Sequence, residues 1–430
     1  MTYPETLDYL YQSLPMFHRI GAAAIKPDLT NTLALCQHLG NPHHRFRTIH
    51  VAGTNGKGST SHMLAAILQS AGYRTGLYTS PHLKSFTERI RINGEEIGQQ
   101  AVVDFVTAHR AFLETLQPSF FEMTVGMAFD YFAAQRVDIA VIEVGLGGRL
   151  DSTNVITPEL SLITNISFDH QALLGNTLTQ IAREKGGIIK PGIPVVVSER
   201  QPEAAEVFQS LAEQQRAPLI FAADHYRVAT QGIREGKLLM EVRRNGKPFL
   251  NGLECQLTGA YQMKNIAGVL QAVEVLNGIG FALSEAAVRQ GIGQVSTLTG
   301  LKGRWQTLST DPLVVCDTGH NEDGIRAVME QIRSMKHGQL HMVLGVVNDK
   351  DLSRILPLLP SEAKYYFCQP NIPRALPASM LQETALQYGL NGKVVPDVNQ
   401  AIAQARTQAD PEDLIFIGGS TFVVAEVENL

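Results

Sequence analysis

The chain has 430 residues, 44% hydrophobic and 18% charged, with a formal net charge of −5. That length exceeds what one hydrophobic core usually holds, so two domains are expected. The acidic balance, without any long basic run, excludes a generic nucleic-acid binder, and no apolar run is long enough to span a bilayer.

The first clear element is a short buried strand at 48–52. It runs into Gly53-Thr54-Asn55-Gly56-Lys57-Gly58-Ser59, a glycine-rich loop with one lysine and a terminal hydroxyl. Met63, Leu64, Ile67, Leu68 and Ala71 then recur at helical spacing. A strand, a tight loop and a helix N-terminus make a phosphate cradle: backbone N–H groups converge on the anion, the helix dipole favours it, and the lysine adds a full charge. The spacing departs from G-x-x-x-x-G-K-[ST], because Val51 stands at the first glycine and the hydroxyl arrives one residue late, at Ser59. Asn-Gly is also a hairpin signal. At Asn93-Gly94, alternating residues lie on both sides, and a hairpin is expected there. No returning strand follows Asn55-Gly56, which favours a loop for a nucleotide triphosphate.

Further strands are expected at 75–78, 138–144, 160–166 and 193–197, continuous apolar runs suited to parallel strands buried on both faces. Between 226 and 254 the pattern changes to a small antiparallel patch, and 261–276 reads as a helix. The Ser/Thr/Gly-rich stretch 296–300 is taken as a connector, dividing the chain into domains 1–298 and 299–430. Beyond it the alternation restarts, with strands at 313–316, 342–347, 364–367, 393–395 and 414–417 and helices at 322–335 and 377–388: a second, smaller doubly wound α/β unit. Cys36, Cys255, Cys316 and Cys368 lie far apart without ligand spacing and read as reduced thiols. With no signal-peptide pattern at the N-terminus, a soluble cytoplasmic protein is expected.

Three strand ends carry polar residues with no packing purpose: Thr79-Ser80-Pro81-His82, Glu143 with the following Gly145-Leu146-Gly147-Gly148-Arg149-Leu150-Asp151, and Ser167-Phe168-Asp169-His170. Ligands of open α/β sheets gather at such ends. Glu143 suits magnesium, which takes oxygen ligands and bridges phosphates; it could instead pair with Arg149. Taken singly, His170 reads as an ordinary histidine, Ser80 as a turn hydroxyl and Asp317 as a strand-end turn.

These stretches resemble the folylpolyglutamate synthase/dihydrofolate synthase family of the Mur ligase superfamily, ATP-dependent amide-forming enzymes. The similarity rests on GTNGKGS at 53–59, TSPHL at 79–83 with ERI at 88–90, FE at 121–122, EVGLGGRLDSTN at 143–154, DH at 169–170, EKGGIIKPG at 184–192, YQMKNIAG at 261–268, GRW at 303–305, DTGHN at 317–321 and GS at 419–420. The resemblance implies a P-loop-containing Mur-ligase-like domain and a smaller Rossmann-like C-terminal domain. It implies transfer of the γ-phosphoryl of ATP to a carboxylate and attack by the amine of L-glutamate on the acyl phosphate. Folate, and also dihydropteroate, are the implied acceptors.

By the same resemblance Asn55, Gly56, Lys57, Gly58 and Ser59 hold the phosphates, and Asn265, Arg304 and Asp317 complete the ATP site. Ser59, Ser80 and Glu143 serve one Mg²⁺; His170 and Lys185 support a second, with Lys185 carbamylated. Lys57, His170 and Lys185 are the implied catalytic residues. Phe121, Glu122, Leu150, Asp151 and Ser152 fall at pteroate-contacting positions, although Phe120 and Phe121 read equally well as core. His320 and Ser420 fall on the glutamate side. The implied cofactors are two Mg²⁺ ions with ATP as co-substrate, and a monovalent cation is allowed. The implied partners are small molecules only, with no nucleic acid or membrane, and a monomer is expected. Two departures stand out: Thr318-Gly319 replaces the family's Gly-Ala with Glu322 for proline, and L-G-L-x-R is not visible at Met16–Gly21. A P-loop kinase or NTPase, a non-catalytic nucleotide-binding regulator, or a Mur ligase acting on another carboxylate are the competing readings.

Overall fold

The computed structural model describes residues 1–15 and 28–430, so the segment 16–21 lies outside the described residues. The strands of the first part of the chain are β1 (Arg47–Ala52), β2 (Thr75–Tyr78), β3 (Ile90–Ile92), β4 (Glu95–Glu96), β5 (Ile139–Glu143), β6 (Leu160–Ile163), β7 (Val195–Val197) and β8 (Leu219–Phe221). They form one sheet in the order β4-β3-β2-β5-β1-β6-β7-β8. From β2 to β8 the pairing is parallel, as their continuous apolar runs require. β3 and β4 add antiparallel at one edge. Asn93 and Gly94 join them with φ of 48° and 84°, the two left-handed residues that a tight hairpin demands.

Each face of this sheet has its own core. Tyr78, Ala140 and Ile142 pack with Phe129 and Phe132 on one side. Ala52, Ile163, Val195 and Val197 pack with Ile181 and Phe208 on the other. The helix after β1, Lys57–Ser70, is buried continuously from Gly58 to Leu68, which holds the glycine loop at its N-terminus rigidly. β9 (Tyr226–Arg234), β10 (Lys237–Arg244) and β11 (Lys247–Cys255) form the small antiparallel sheet expected at 226–254.

The stretch read as a connector is instead the helix Val295–Thr299, ended by Gly300 at φ 69°. Its hydroxyls do not mark flexibility. Thr299 Oγ1 donates to Val295 O at 2.6 Å and accepts from His62 Nδ1 at 2.8 Å, and Gln69 Nε2 donates to Leu298 O at 3.0 Å. The chain folds as two units, Met1–Gln256 with Gln262–Gly300, and Leu257–Tyr261 with Leu301–Leu430. A single division at 298/299 is therefore corrected: residues 257–261 belong with the second unit. Gln331 secures them there, accepting from Ala260 N at 2.7 Å and donating to Thr258 O at 3.1 Å.

The second unit holds β12 (Gln306–Thr310), β13 (Leu313–Cys316), β14 (Leu340–Leu344), β15 (Lys364–Phe367), β16 (Gly392–Val394) and β17 (Leu414–Gly418), ordered β12-β13-β17-β14-β15-β16. Only β12 is antiparallel. Alternate residues of one strand feed opposite cores: Val315, Met342, Leu344 and Phe416 face the helix Glu322–Ser334. Val314, Val343, Ile415 and Ile417 face the helices Val398–Gln408 and Thr421–Glu426. β8 and β12 escape sequence patterning, because one has three residues and the other a single large apolar side chain, Leu308.

In the helix Glu285–Gly293, Gly291 lies so close to the helix Lys57–Ser70 that a Cβ would stand 2.6 Å from Ile67 N. Gly291→Ala should gain about 1 kcal/mol of helix propensity yet lose more, about 1–3 kcal/mol, to overpacking against backbone. A lower thermal midpoint with unchanged far-UV circular dichroism is expected; an equal or higher midpoint would show that the helices separate freely.

Candidate active site

The loop after β1 ends in Gly56, whose left-handed φ of 85° lets it open the helix Lys57–Ser70 as N-cap. No side chain caps this helix, so its first N–H groups are left open to an anion. The loop is built by the next strand end. Asn165 accepts from Thr54 N through its carbonyl and from Asn55 N through Oδ1, both at 2.9 Å. Ser167 N donates to Thr54 Oγ1 at 3.0 Å, Asn55 Nδ2 to Ser167 Oγ at 3.2 Å, and Thr164 Oγ1 to Asn55 O at 2.5 Å. From the helix Gln262–Gly278, Gln262 Nε2 donates to the buried Ser59 Oγ at 3.1 Å and Gln262 Oε1 accepts from Asn265 Nδ2 at 2.8 Å. Asn265 itself closes over Gly56, where a Cβ would stand 2.2 Å from Asn265 Oδ1.

Two lysines meet at this loop. Lys57 Nζ donates to Gly53 O and Thr54 O, both at 3.1 Å. Lys185 Nζ donates to the same Gly53 O at 2.9 Å from the buried face of the helix Leu178–Gly186. Burial, and then the neighbouring Lys57 charge, pull the Lys185 ammonium down to about 7, against the partial support of Asp169 and Asp151.

The ends of β2, β5, β1 and β6 lie side by side. Glu143, the last residue of β5, is paired in register with Val51 and accepts from Ser80 N at 3.1 Å. The alternative partner for Glu143 is taken elsewhere: Arg149 pairs with Glu184 at 2.9 Å. Asp169 Oδ2 is 3.8 Å from Nε2 of His170, which opens a short helix with φ 48°. Among the described residues no group of three or more His, Cys, Asp or Glu is arranged for a metal. A single buried carboxylate beside a serine does fit a hard cation that keeps several waters and takes phosphate oxygens.

Of the residues assigned to the acceptor substrate, Phe121 lies against Gly145, with its ring 6.1 Å from that of Tyr78. Glu122 forms a capping box with Ser119, accepting from Ser119 N at 2.6 Å, so part of its carboxylate is committed to the helix Phe120–Ala134. Asp151 accepts from Leu146 N at 2.8 Å, Thr153 N at 3.0 Å and Thr153 Oγ1 at 2.5 Å, shaping the loop that carries Leu150 and Ser152.

In the second unit Asp317 follows β13 directly. It accepts from Gly319 N at 2.7 Å, Trp305 N at 2.7 Å and Tyr261 Oη at 2.6 Å; burial pushes its carboxyl above the ordinary value. Arg304 donates to Thr318 Oγ1. His320 Nδ1 lies 3.0 Å from Thr318 O. Ser420 follows β17, the neighbour of β13, and caps the helix Thr421–Glu426. Despite the Thr318-Gly319 departure, the loop closes on Asn321, whose Oδ1 accepts from Gly324 N at 2.9 Å, and Glu322 fits the acidic first turn.

Residues 51–273 match the Mur ligase middle domain, and residues 303–421 the Mur ligase glutamate ligase domain. A folylpolyglutamate synthase of Lacticaseibacillus casei is 35% identical over 440 residues, spanning 100% of this chain and 98% of its own. The chain belongs to the folylpolyglutamate synthase/dihydrofolate synthase family of Mur ligases. Solved members of that family are similar throughout. A Mycobacterium tuberculosis folylpolyglutamate synthase complexed with ADP has a TM-score of 0.87 at 30% identity, covering 98% of this chain and 96% of its own. Escherichia coli FolC in complex with DHPP and ADP has a TM-score of 0.84 at 30% identity, covering 99% and 97%.

In this folylpolyglutamate synthase-family chain, sequence reasoning missed Thr164, Asn165 and Gln262, which hold the loop without belonging to it, and named Ser167 only as part of a strand end. For Thr164 and Asn165 the available signal was polar residues continuing from an apolar strand; Gln262 lay unassigned in the YQMKNIAG stretch. Asn165→Ala removes the acceptor for Asn55 N and should weaken ADP binding about tenfold, the equivalent of one buried hydrogen bond at roughly 1.4 kcal/mol. Calorimetric titration checks this; unchanged affinity would mean that the loop keeps its shape unaided.

Proposed function

We propose that the protein ligates L-glutamate to a folate at the expense of ATP, with dihydropteroate as a second acceptor. The observation that carries this reading is the uncapped helix start with two lysines on the Gly53 carbonyl, beside the Ser80–Glu143 strand ends. The γ-phosphoryl passes from ATP to the acceptor carboxylate, leaving ADP and an acyl phosphate. The glutamate amine then attacks the acyl carbon, phosphate leaves, and the amine proton is released as the amide forms.

The N–H groups of Gly56 to Ser59 receive the phosphates, and Lys57 turns from its two carbonyl acceptors to the phosphoryl oxygens, where charge must be offset. Asn55 and Asn265 fix the loop and the base, and Arg304 and Asp317 are assigned to the nucleotide. Ser59, Ser80 and Glu143 would hold one Mg²⁺, and His170 and Lys185 a second; bound magnesium supplies charge neutralisation along the phosphates. Phe121, Leu150 and Ser152 border the acceptor, while Glu122 and Asp151 shape its walls. His320 and Ser420 serve glutamate. A Mur ligase for another carboxylate is disfavoured by the similarity over the whole chain to folylpolyglutamate synthases.

Lys185 fits carbamylation. With its ammonium pulled down to about 7, a substantial neutral fraction exists at neutral pH. The free amine forms a C–N bond to CO₂ and loses one proton, replacing a cation beside Lys57 with an anion.

Purified protein given ATP, Mg²⁺ and radiolabelled glutamate should incorporate label with tetrahydrofolate and, separately, with dihydropteroate. Incorporation with neither sinks the ligase reading; incorporation with one settles the acceptor. Lys57→Ala should cut turnover at least 100-fold with an intact fold.

Lys185→Ala should be nearly inactive and partly restored by short carboxylates. Because the neutral fraction of the amine falls as pH drops through about 7, wild-type activity under limiting CO₂ should fall with it. Added bicarbonate should restore it. Full activity of Lys185→Ala, or indifference to CO₂, would overturn the carbamate.

A further inference from the structure

The turn from Thr79 to Ser85 has no regular hydrogen bonding of its own, yet it presents Ser80 to Glu143. Two consecutive residues hold it. Glu88 accepts from Leu83 N at 2.8 Å, Lys84 N at 2.7 Å and Ser85 N at 2.9 Å, spending its carboxylate on three backbone donors. Arg89 holds the other end: its carbonyl accepts from Thr79 N at 3.0 Å, and its Nε donates to His82 Nδ1 at 2.8 Å. Those two contacts bracket Ser80-Pro81.

The Arg89 side chain is 2% exposed. It lies 5.2 Å from the centre of the Phe120 ring, and Phe86 stands edge-on to Phe120 at 5.9 Å and to His82 at 6.4 Å. Arg89, Phe120, Phe86 and His82 thus close a small ring under the turn. Among the described residues Arg89 forms no ion pair with a carboxylate. Burial disfavours its charge, and the nearby Tyr78 and Tyr11 hydroxyls and the Glu143 carboxylate favour it. Its fixed planar fork can aim one N–H at an imidazole nitrogen while stacking on an aromatic face, which a flexible ammonium cannot do.

We propose that Arg89 is a positioning residue which, through His82 and Thr79, sets the turn so that Ser80 meets Glu143 in the geometry needed by a magnesium nucleotide. The inference rests on the proposed reading of Ser80 and Glu143 as a magnesium site. Residues that orient ligands in this way commonly change metal affinity 10- to 100-fold when altered.

The test is ADP binding to the full-length protein by calorimetry, with and without Mg²⁺. For Arg89→Met the gain in affinity conferred by Mg²⁺ should shrink at least tenfold while metal-free ADP binds as to wild type. His82→Asn, which keeps an acceptor close to the position of Nδ1, should behave as wild type, and His82→Leu should follow Arg89→Met. Glu143→Ala is run in parallel. If Arg89→Met keeps the full Mg²⁺ gain while Glu143→Ala loses it, the role of Arg89 is wrong and the site reading stands. If Glu143→Ala keeps the gain, the site reading itself fails. Equal loss of metal-free and Mg²⁺-dependent affinity in Arg89→Met would also overturn the proposal, because it marks a general structural effect. Should Arg89→Met fail to fold, the His82→Asn and His82→Leu pair decides.

Discussion

Two ammonium groups converge on one carbonyl oxygen, that of Gly53, with Lys57 at 3.1 Å and Lys185 at 2.9 Å. Like charges this close repel by a few kcal/mol even at an effective dielectric near 20. A single neutral acceptor offsets little of that, so the repulsion adds to burial, the larger cause, in pulling the Lys185 ammonium down. Anything anionic relieves the strain: a triphosphate at Lys57, or a carbamate in place of the Lys185 charge. The loop is therefore organised for negative ligands before any arrives. Its surroundings keep it so, because Asn165, Thr164 and Ser167 occupy the acceptors and donors of Thr54 and Asn55.

The sheet order decides what this anion site can be used for. Because β1 lies between β5 and β6, with β2 beyond β5, the loop shares one edge with Ser80, Glu143 and His170. Register sharpens this. Tyr78 pairs with Ile142 and Val51 with Glu143, so the residues just after β2 meet the carboxylate beside the base of the loop. A parallel sheet places every strand end of one direction on one edge, and residues nearly a hundred positions apart become neighbours without any special device.

The parts legible in the sequence were those where a continuous apolar run stops abruptly on polar residues. That signal located the loop, the β2, β5 and β6 ends and the Asp317 turn, and family resemblance assigned them roles. The residues that escaped are those whose purpose lies in a distant partner. Asn165 is explained by Asn55, Gln262 by Ser59 and Gln331 by the 257–261 segment. The helix at 295–299 was misread as a connector because Ser and Thr usually favour turns. Here Thr299 turns its hydroxyl back onto its own helix while accepting from His62. Phe121 shows the same limit from the other side, since its apolar character suits either core or substrate and only its contact with Gly145 places it at the strand-end loop.

Acidic residues divide along the same line. A carboxylate that accepts backbone N–H groups builds a loop, and fewer of its lone pairs are then open to a ligand's donors. Glu88 spends its oxygens on three successive N–H groups, Asp151 on Leu146 and Thr153, and Asp317 on Gly319, Trp305 and Tyr261. All three serve irregular loops whose backbone donors would otherwise lack a protein partner, which is costly where those donors are buried. Motif position alone cannot separate such builders from ligands, because both sit in the same strand-end runs. The separation follows from counting acceptors: loops rich in glycine carry many orphan N–H groups, and some of their carboxylates must answer those before any substrate.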